Sequence, residues 1–315
     1  MNKNLLILFI FSLIFYSCYR VPNKIDPKIN VPVSESFIKS MKNPFSPLSI
    51  EEKSQDWGKE YLIALSFAKH MDLFQAISNF KRADILIPQE EEARKQEIQY
   101  FIIFCYYLGK KYPFVVETFE ESTLPTVDQS FPAFHDLLII LYQSYTETQH
   151  EEKANRIKNI LEKTFPESNE GIKLANALLN ANIDKIKELS VNPTYSYLTP
   201  FLCCYKSKKK SIPSAQVLNA IIPGTGYLYL GQKRSAVTSF VLNGLLIYAS
   251  YEFFKRGYIG AGIITVSFEA GWYFGGIYGA GESAKFYNEK IYDEEAKKLM
   301  GAKKIYPLFM LRYAF

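Results

Sequence analysis

The sequence has little tryptophan, histidine and cysteine, and no strong excess of either charge. Its 315 residues include 2 Trp, 3 His and 4 Cys, and the formal net charge is +5. So small and dispersed a charge argues against nucleic acid as a partner. The cysteines lack the paired C-x-x-C spacing of zinc and redox sites and imply no disulfide framework. They are Cys18, Cys105, Cys203 and Cys204.

Catalytic constellations are lacking as well. The histidines, at positions 70, 135 and 150, have no metal-site spacing, and no Ser/His/Asp set, carboxylate pair or cofactor loop emerges. We therefore expect a protein that is not an enzyme and that carries no cofactor or metal. Aromatic residues are abundant, with 23 Tyr and 24 Phe, and polar and apolar stretches are segregated along the chain. The length allows two modest domains.

The N-terminus has the features of an export signal. Lys3 precedes an apolar run at 5–16 that is too short for an ordinary membrane span. The end of this run resembles a bacterial lipobox, in which a cysteine receives lipid, although bulkier residues than usual precede Cys18. The resemblance implies a signal peptide at 1–17 and a lipoprotein held to the membrane by acyl chains on Cys18. An uncleaved signal anchor and plain secretion are the alternatives.

Residues 18–49 are predicted to form a lipidated tether. Five prolines stand among Asn, Lys and Ser residues, so the stretch has little helical periodicity and should be semi-extended. They are Pro22, Pro27, Pro32, Pro44 and Pro47.

The polar region that follows contains a repeat of 39 residues. Aromatic and small residues recur at this offset, and a proline follows the small residue in the first and third copies. The equivalent sets are Phe67, Tyr106 and Tyr145; Ala76, Val115 and Ala154; Phe80 and Phe119; and Pro88 and Pro166.

The first copy resembles a tetratricopeptide repeat, in which small residues let two helices approach and a proline ends the second helix. The resemblance implies an all-α fold, with a tetratricopeptide-like α-solenoid over residues 50–190. Asp72 is the expected N-cap of the second helix, and Ser49 with Glu52 is an expected capping box. We expect residues 172–189 to close the stack as a degenerate helical pair.

In tetratricopeptide proteins the first helix of each repeat lines a groove that takes an extended or helical peptide. The resemblance therefore implies a peptide-binding groove, here unusually aromatic, and packing between repeats is the alternative role for any single residue. The matching positions are Tyr61, Leu65 and Lys69; Tyr100, Phe104 and Tyr107; and Ile139, Gln143 and Thr146.

After a basic linker at 191–212, the chain is apolar from 213 to 285. Two stretches, 235–254 and 258–280, are each long enough to span a hydrocarbon core of about 30 Å, and a polar turn separates them. The prediction is an α-helical transmembrane hairpin, which an amphipathic C-terminal tail follows at 286–315.

A short motif precedes the two stretches and resembles the P-G-x-G-x-x-Y-x-G turn of a bacterial family of two-span membrane hairpins. Its Pro and Gly residues break a helix and let the chain turn at membrane depth, where protein must cover the free backbone groups. No Lys-Ser/Thr pair follows, which argues against a phosphate loop. The residues are Pro223, Gly224, Gly226, Tyr229 and Gly231.

Small and polar residues within the hairpin indicate helix packing. Gly271, Gly275 and Gly279 lie on one helix face and would let another helix approach closely. Glu269 lies within the second stretch, where an acidic group is costly. Its candidate partners are Asn243 in the first stretch and Arg256 in the turn. We favour a protonated Glu269 hydrogen-bonded across the hairpin over proton or ion transport, since two helices enclose no pathway.

The membrane orientation of the hairpin and the end of the C-terminal tail need separate interpretation. Basic residues at both ends of the hairpin place those ends in the cytoplasm, whereas the signal exports the repeats. We give the signal precedence, which makes the repeats periplasmic and leaves inner or outer membrane open. The chain ends in alternate apolar residues and Phe315, a resemblance to the C-terminal signature of outer-membrane barrels. Since no other strands accompany it, we expect this segment to pack on the hairpin, with a single strand or a sorting signal as the alternative.

The resulting hypothesis is a membrane-anchored lipoprotein scaffold of the bacterial cell envelope. Its repeats would bind a protein or peptide partner, and its anchors would contact membrane lipid. The alternative is a subunit or assembly factor of an envelope membrane complex that acts on other membrane proteins through its hairpin. A small transporter component is a third interpretation.

Overall fold

The computed structural model describes residues 21–31 and 35–315. Within these residues the fold is all-α, with fifteen α-helices and three short 3-10 helices that pack in sequential order. The predicted signal peptide and Cys18 lie outside the described residues. The chain divides into two compact units. Of the described residues, the repeat unit comprises Asn30–Asn176 and Leu299–Phe315, and the apolar unit comprises Ala177–Lys298 with residues 21–29.

The repeat unit contains three successive helix hairpins after two short helices. Within and between these hairpins each helix packs on the next, as expected for stacked antiparallel helices. The helices are α1 (Glu35–Lys39), α2 (Ile50–Ser54), α3 (Asp56–Lys69), α4 (Leu73–Leu86), α5 (Glu92–Leu108), α6 (Tyr112–Glu121), α7 (Phe134–Glu147) and α8 (Glu151–Thr164). Helix α9 (Pro166–Leu179) contains the boundary between the two units.

The predicted period of 39 residues is present in the backbone. Met71, Lys110 and Gln149, 39 residues apart, each adopt a left-handed conformation with φ of 63°, 55° and 61° in the turn of their hairpin. After each of them, the next amide donates to the carbonyl of the repeated aromatic residue five positions earlier. These bonds are Asp72 to Phe67 (3.0 Å), Lys111 to Tyr106 (2.9 Å) and His150 to Tyr145 (2.9 Å).

These left-handed turns make a stability prediction possible. Gln149 is exposed, and a left-handed conformation disfavours residues with a Cβ. We expect Gln149→Gly to raise the free energy of unfolding of the repeat unit by about 0.5–1 kcal/mol and Gln149→Val to lower it by a similar amount. Thermal unfolding followed by the fluorescence of Trp57, a buried residue of α3, measures both. Equal effects of Gly and Val would contradict the conformational argument.

The predicted helix ends are confirmed in the first hairpin. Ser49 and Glu52 form the capping box, and the side chain of Asp72 accepts the Gln75 amide at 3.2 Å. Pro88 follows the end of α4, and Pro166 opens α9 directly after α8 ends. The small-residue positions are buried in every copy, at Ala76, Val115 and Ala154.

The predicted tether is not wholly free of structure. Residues 21–31 have no helix, as their prolines predict, but Val21, Ile25 and Val31 are buried. Val21 belongs to a small core of the apolar unit with Ile212, Ala215, Leu230 and Ala284. Apolar side chains between the prolines thus attach the segment to the folded chain.

The apolar unit is helical from its start. The predicted linker at 191–212 contains a helix, because Leu198, Phe201 and Tyr205 share one face and are buried. The helices are α10 (Ile183–Leu189), α11 (Leu198–Lys208), α12 (Ile212–Ile221), α13 (Thr225–Tyr229) and α14 (Lys233–Lys255), and α15 (Ile259–Lys303) continues past the unit boundary.

One helix of the described chain, α14, is long and apolar enough to cross a membrane. The predicted second stretch, 258–280, forms the first half of α15 but does not meet the same criterion. Glu269 and several glycines lower its mean hydropathy. The expected pair of spans is therefore found only in part.

The structure of residues 286–315 differs from the prediction at the end of the chain. Helix α15 extends to Lys303, so the first half of the tail continues a long helix. Residues 305–315 then form a 3-10 helix (Pro307–Met310) and an extended end, and they belong to the repeat unit. The prediction places this segment on the hairpin, whereas its aromatic side chains pack against aromatic residues of the repeat unit.

Candidate functional site

The predicted groove residues lie on the first helices of the three hairpins, α3, α5 and α7. Leu65 is half-buried, and Lys69 and Thr146 are exposed. The other six side chains are buried: Tyr61, Tyr100, Phe104, Tyr107, Ile139 and Gln143.

The 305–315 segment covers part of this face. The Phe315 ring lies 5.0 Å from the Phe104 ring and 5.6 Å from the Phe101 ring, between centroids. Leu311 and Ala314 are buried in the same core. Part of the predicted groove is therefore filled by an extended segment of the chain itself.

Asp136, in the first turn of α7, binds the main chain of this segment. Its Oδ2 accepts the amides of Arg312 and Tyr313, each at 2.9 Å. Its Oδ1 lies 2.7 Å from Nδ1 of His135, whose Nε2 lies 2.8 Å from Ser168 Oγ. Because the Asp136 side chain is fully buried and bound on both oxygens, its orientation is fixed.

A second main-chain contact pairs the segment with the chain before α2. The amide of Ala314 donates to the carbonyl of Lys42 at 3.0 Å, and Lys42 and Tyr313 form an isolated parallel bridge. The segment thus lies between an extended strand-like edge on one side and Asp136 on the other. The end of the segment thus contributes main-chain amides to these polar contacts, as an added strand does.

Side chains hold the beginning of the segment. Gln143 accepts a hydrogen bond from Tyr107 at 2.5 Å, and its amide nitrogen lies 3.4 Å from the Tyr306 hydroxyl. Burial raises the pKa of Tyr107, which therefore stays a donor. The Phe309 ring packs edge-on against Phe37 at 5.2 Å. Polar and aromatic contacts thus alternate along the segment.

Two further contacts lie at the outer side. The guanidinium of Arg312 stands 5.5 Å from the centre of the Phe165 ring. Gly171 of α9 approaches Met310 so closely that a Cβ on it would lie 3.2 Å from the Met310 methyl. Arg312 is otherwise exposed, so the groove imposes little on this position.

Tyr61, the first predicted groove residue, belongs to a buried ionic cluster instead. It donates a hydrogen bond to Glu97 of α5, and Arg94 binds both Glu97 and Glu52 at 2.7 Å. Arg94 also donates to the carbonyl of Ser46 at 2.8 Å. Burial raises the pKa of Glu97, whereas the hydrogen bond from Arg94 lowers that of Glu52. The cluster joins α2 and the preceding chain to α5.

The motif before α14 forms a tight turn in the apolar unit. Gly224 has φ +96°, and its amide donates to Asn219 Oδ1 at 2.8 Å. Gly231 has φ +78° and follows α13. Tyr229 accepts the Ser211 amide at 3.2 Å. Pro223 stands half-buried before the turn. Gly224 and Gly231 thus adopt positive φ angles that glycine favours, and the Asn219 side chain accepts the Gly224 amide of the turn.

Gly226 lets α12, α13 and α15 meet. A Cβ on it would lie 2.3 Å from the Ala215 carbonyl oxygen and 2.9 Å from Ala280 Cβ. We expect Gly226→Ala to lower the free energy of unfolding of the apolar unit by about 1–3 kcal/mol. The matched control is Gly244→Ala in α14, where a Cβ meets nothing within 4 Å and helix propensity improves. Thermal unfolding in detergent, read by Trp272 fluorescence, compares them; equal midpoints would contradict the close packing.

Of the three glycines in the predicted stripe on α15, only Gly279 lies close to another part of the described chain. A Cβ on Gly279 would lie 2.5 Å from the Tyr227 hydroxyl, whereas a Cβ on Gly271 or Gly275 would have no neighbour within 4 Å. Asn243 donates to the Ser239 carbonyl of its own helix at 2.6 Å. Among the described contacts, Glu269 has no hydrogen bond or ion pair, so the expected bond between Asn243 and Glu269 is not found.

Sequence reasoning missed Asp136 and Phe101, the residues that hold the end of the segment. Asp136 follows His135 at the start of an apolar helix, a place where a helix N-terminal acid is common, so nothing distinguished it. Phe101 was overlooked because the groove positions were taken from the repeat pattern alone. No group of His, Cys, Asp or Glu in the described chain could hold a metal ion.

The fold and the site define an all-helical protein of stacked antiparallel hairpins that encloses an extended segment of its own chain. Comparison with protein-family models gives no match. Comparisons with curated proteins and with solved structures also give no match.

Proposed function

We propose that the protein is a membrane-anchored, non-enzymatic scaffold of the bacterial cell envelope whose helical repeats bind an extended peptide segment of a partner. The observation that carries the proposal is the 305–315 segment on the predicted groove, whose last five residues are extended. Its amides bind Asp136 and the Lys42 carbonyl, as an added strand would. Main-chain recognition of this kind is suited to a polypeptide ligand.

The tetratricopeptide resemblance supports the same proposal. Three hairpins with a common turn geometry follow the 39-residue period, and the positions assigned to the groove lie on α3, α5 and α7. In tetratricopeptide proteins the corresponding helices bind peptides. The aromatic residues of α5, in particular, offer apolar contact area next to the main-chain partners.

Exposed apolar side chains support attachment to a membrane. Phe240 and Phe268, on α14 and α15, are 60% and 70% exposed, and many neighbours are similar. So large an exposed apolar surface is unfavourable in water. The length and composition of α14 fit a helix that is surrounded by lipid. A lipid on Cys18 would be attached three residues before Val21, which packs in the same apolar unit.

Site-specific photocrosslinking in the native envelope tests the proposal. A photoreactive residue replaces Lys69 or Thr146, the exposed groove positions, and in the control it replaces Lys81 on the outer helix α4. The proposal predicts the same adduct from both groove positions and not from Lys81. Cys18→Ser should also reduce acyl labelling. The same adducts at all three positions would contradict binding of a partner in the groove.

The open glycines favour a second candidate function. A Cβ on Gly271 or Gly275 would meet no atom within 4 Å, so another membrane helix has room to pack there. On this hypothesis the protein is a subunit or assembly factor of an envelope complex. Gly275→Leu should then disrupt the complex, while groove substitutions should leave it intact.

A further inference from the structure

We propose that the groove selects extended segments with the pattern aliphatic, two variable residues, small residue, aromatic, and that the 305–315 segment is the protein's own copy of this ligand. The inference rests on the proposed function and names the class of partner. A partner carrying such a segment would bind by replacing the 305–315 segment. The evidence is the pattern of buried and exposed side chains over residues 311–315.

The aromatic end is the most selective position. Phe315 is buried against Phe101 and Phe104, and Phe45 and Phe131 extend the same aromatic core around Tyr100. A charged or small side chain at this place would leave apolar surface uncovered or bury a charge without a partner. The pocket therefore requires a large apolar ring.

The position before it requires a small residue. Ala314 is 1% exposed, and its amide is bound to the Lys42 carbonyl, so the main chain lies close against its neighbours. Leu311 is 5% exposed in the same core and supplies the aliphatic position. A bulky residue in place of Ala314 would push the segment away from Lys42.

The two middle positions are bound through their backbone amides. Asp136 binds the amides of Arg312 and Tyr313, which every residue except proline provides. Arg312 is exposed and Tyr313 half-buried, so side chains there can vary. The site thus combines two selective positions at the end with tolerance in the middle.

The segment is also placed so that another can replace it. Helix α15 ends at Lys303, Lys304 adopts a left-handed conformation with φ 52°, and residues 305–315 contain no α-helix. A ligand segment within the same chain has an effective concentration of the order of millimolar, which masks the site against weak competitors. A partner segment must match the same contacts to compete.

Peptide binding to a shortened chain tests the inference. The probe is a fluorescent peptide with the sequence of residues 305–315, and the receptor is the full chain in detergent without residues 311–315. We expect saturable binding, a loss of at least about tenfold when the final Phe is Lys, and a similar loss when the Ala before it is Trp. Replacing the Arg by Ala should change affinity less than about threefold. The intact chain should bind the probe at least about 100-fold more weakly.

The outcomes separate the two proposals. If all peptides bind equally well, the extended-peptide groove stands and the pattern is refuted. If a folded receptor binds none of them, both fail. Circular dichroism and Trp57 fluorescence establish that the shortened chain is folded. Should it not fold, the full-length Phe315→Ala chain replaces it, and the same ranking of peptides is required.

Discussion

Replacing Arg94 by Met is expected to destabilise the repeat unit by about 3–5 kcal/mol, because one partner of a buried ionic cluster is removed. Arg94 contacts Glu97, which is 2% exposed, and Glu52 on another helix. Met fills much of the volume but leaves Glu97 with only the Tyr61 hydroxyl. The lost attachment of Ser46 adds to the effect.

The loss should depend on pH. Burial raises the folded-state pKa of Glu97 above its ordinary value near 4.5, so its stabilising contribution is complete below that value and is lost as the pH rises. Without Arg94 this pKa rises further. Arg94 lowers the pKa of Glu52, whose contribution is present above its ordinary value and is lost as the pH falls. Both effects make the loss of unfolding free energy caused by Arg94→Met larger at neutral than at acidic pH.

Urea unfolding at about pH 4.5 and about pH 7.5 measures this difference. Trp57 reports on the repeat unit, and Trp272→Phe removes the other tryptophan. The control is Arg94→Met with Glu97→Gln, in which a neutral amide still accepts from Tyr61. Its deficit should shrink to about 1–2 kcal/mol. A deficit that is equal at both pH values, with no recovery in the double variant, would contradict the ionic explanation.

The hairpins could be predicted because their information is local. The 39-residue spacing fixed the equivalent positions, and Asp72, Ser49 and Pro88 marked helix ends by chemistry that acts within a few residues. The left-handed turns at Met71, Lys110 and Gln149 fall at the same offset. Local rules therefore sufficed for the repeat spacing and for the helix ends of the first hairpin.

The partner of the 305–315 segment could not be predicted in the same way. Asp136 and Arg312 are 176 residues apart. Alternate apolar residues indicate an extended segment with a buried face, but many apolar surfaces satisfy that requirement, and the hairpin was the nearest in sequence. Complementary features of the groove, namely an acceptor for two successive amides and an aromatic pocket, become visible only when α5 and α7 are adjacent.

Asp136→Ala is expected to release the end of the 305–315 segment and to destabilise the repeat unit by about 2–5 kcal/mol. Two main-chain amides would lose their acceptor, at about 1–3 kcal/mol for each donor left without a partner in the protein. His135 would lose a neighbour at 2.7 Å, and a fully buried side chain would leave a void. Phe315 would then be held by ring contacts and by the Lys42 pairing alone.

Asp136→Asn is the matched control, since its amide oxygen can still accept from Arg312 and Tyr313 in the same space. Hydrogen exchange of the amides at 312–314 and digestion by carboxypeptidase measure release. We expect fast exchange and digestion in Asp136→Ala, and values close to those of the original protein in Asp136→Asn. If the Ala variant stays protected, Phe315 and Lys42 hold the segment without Asp136, and the amides contribute little to its binding. If both variants release it, the charge of Asp136, rather than its geometry, governs the site.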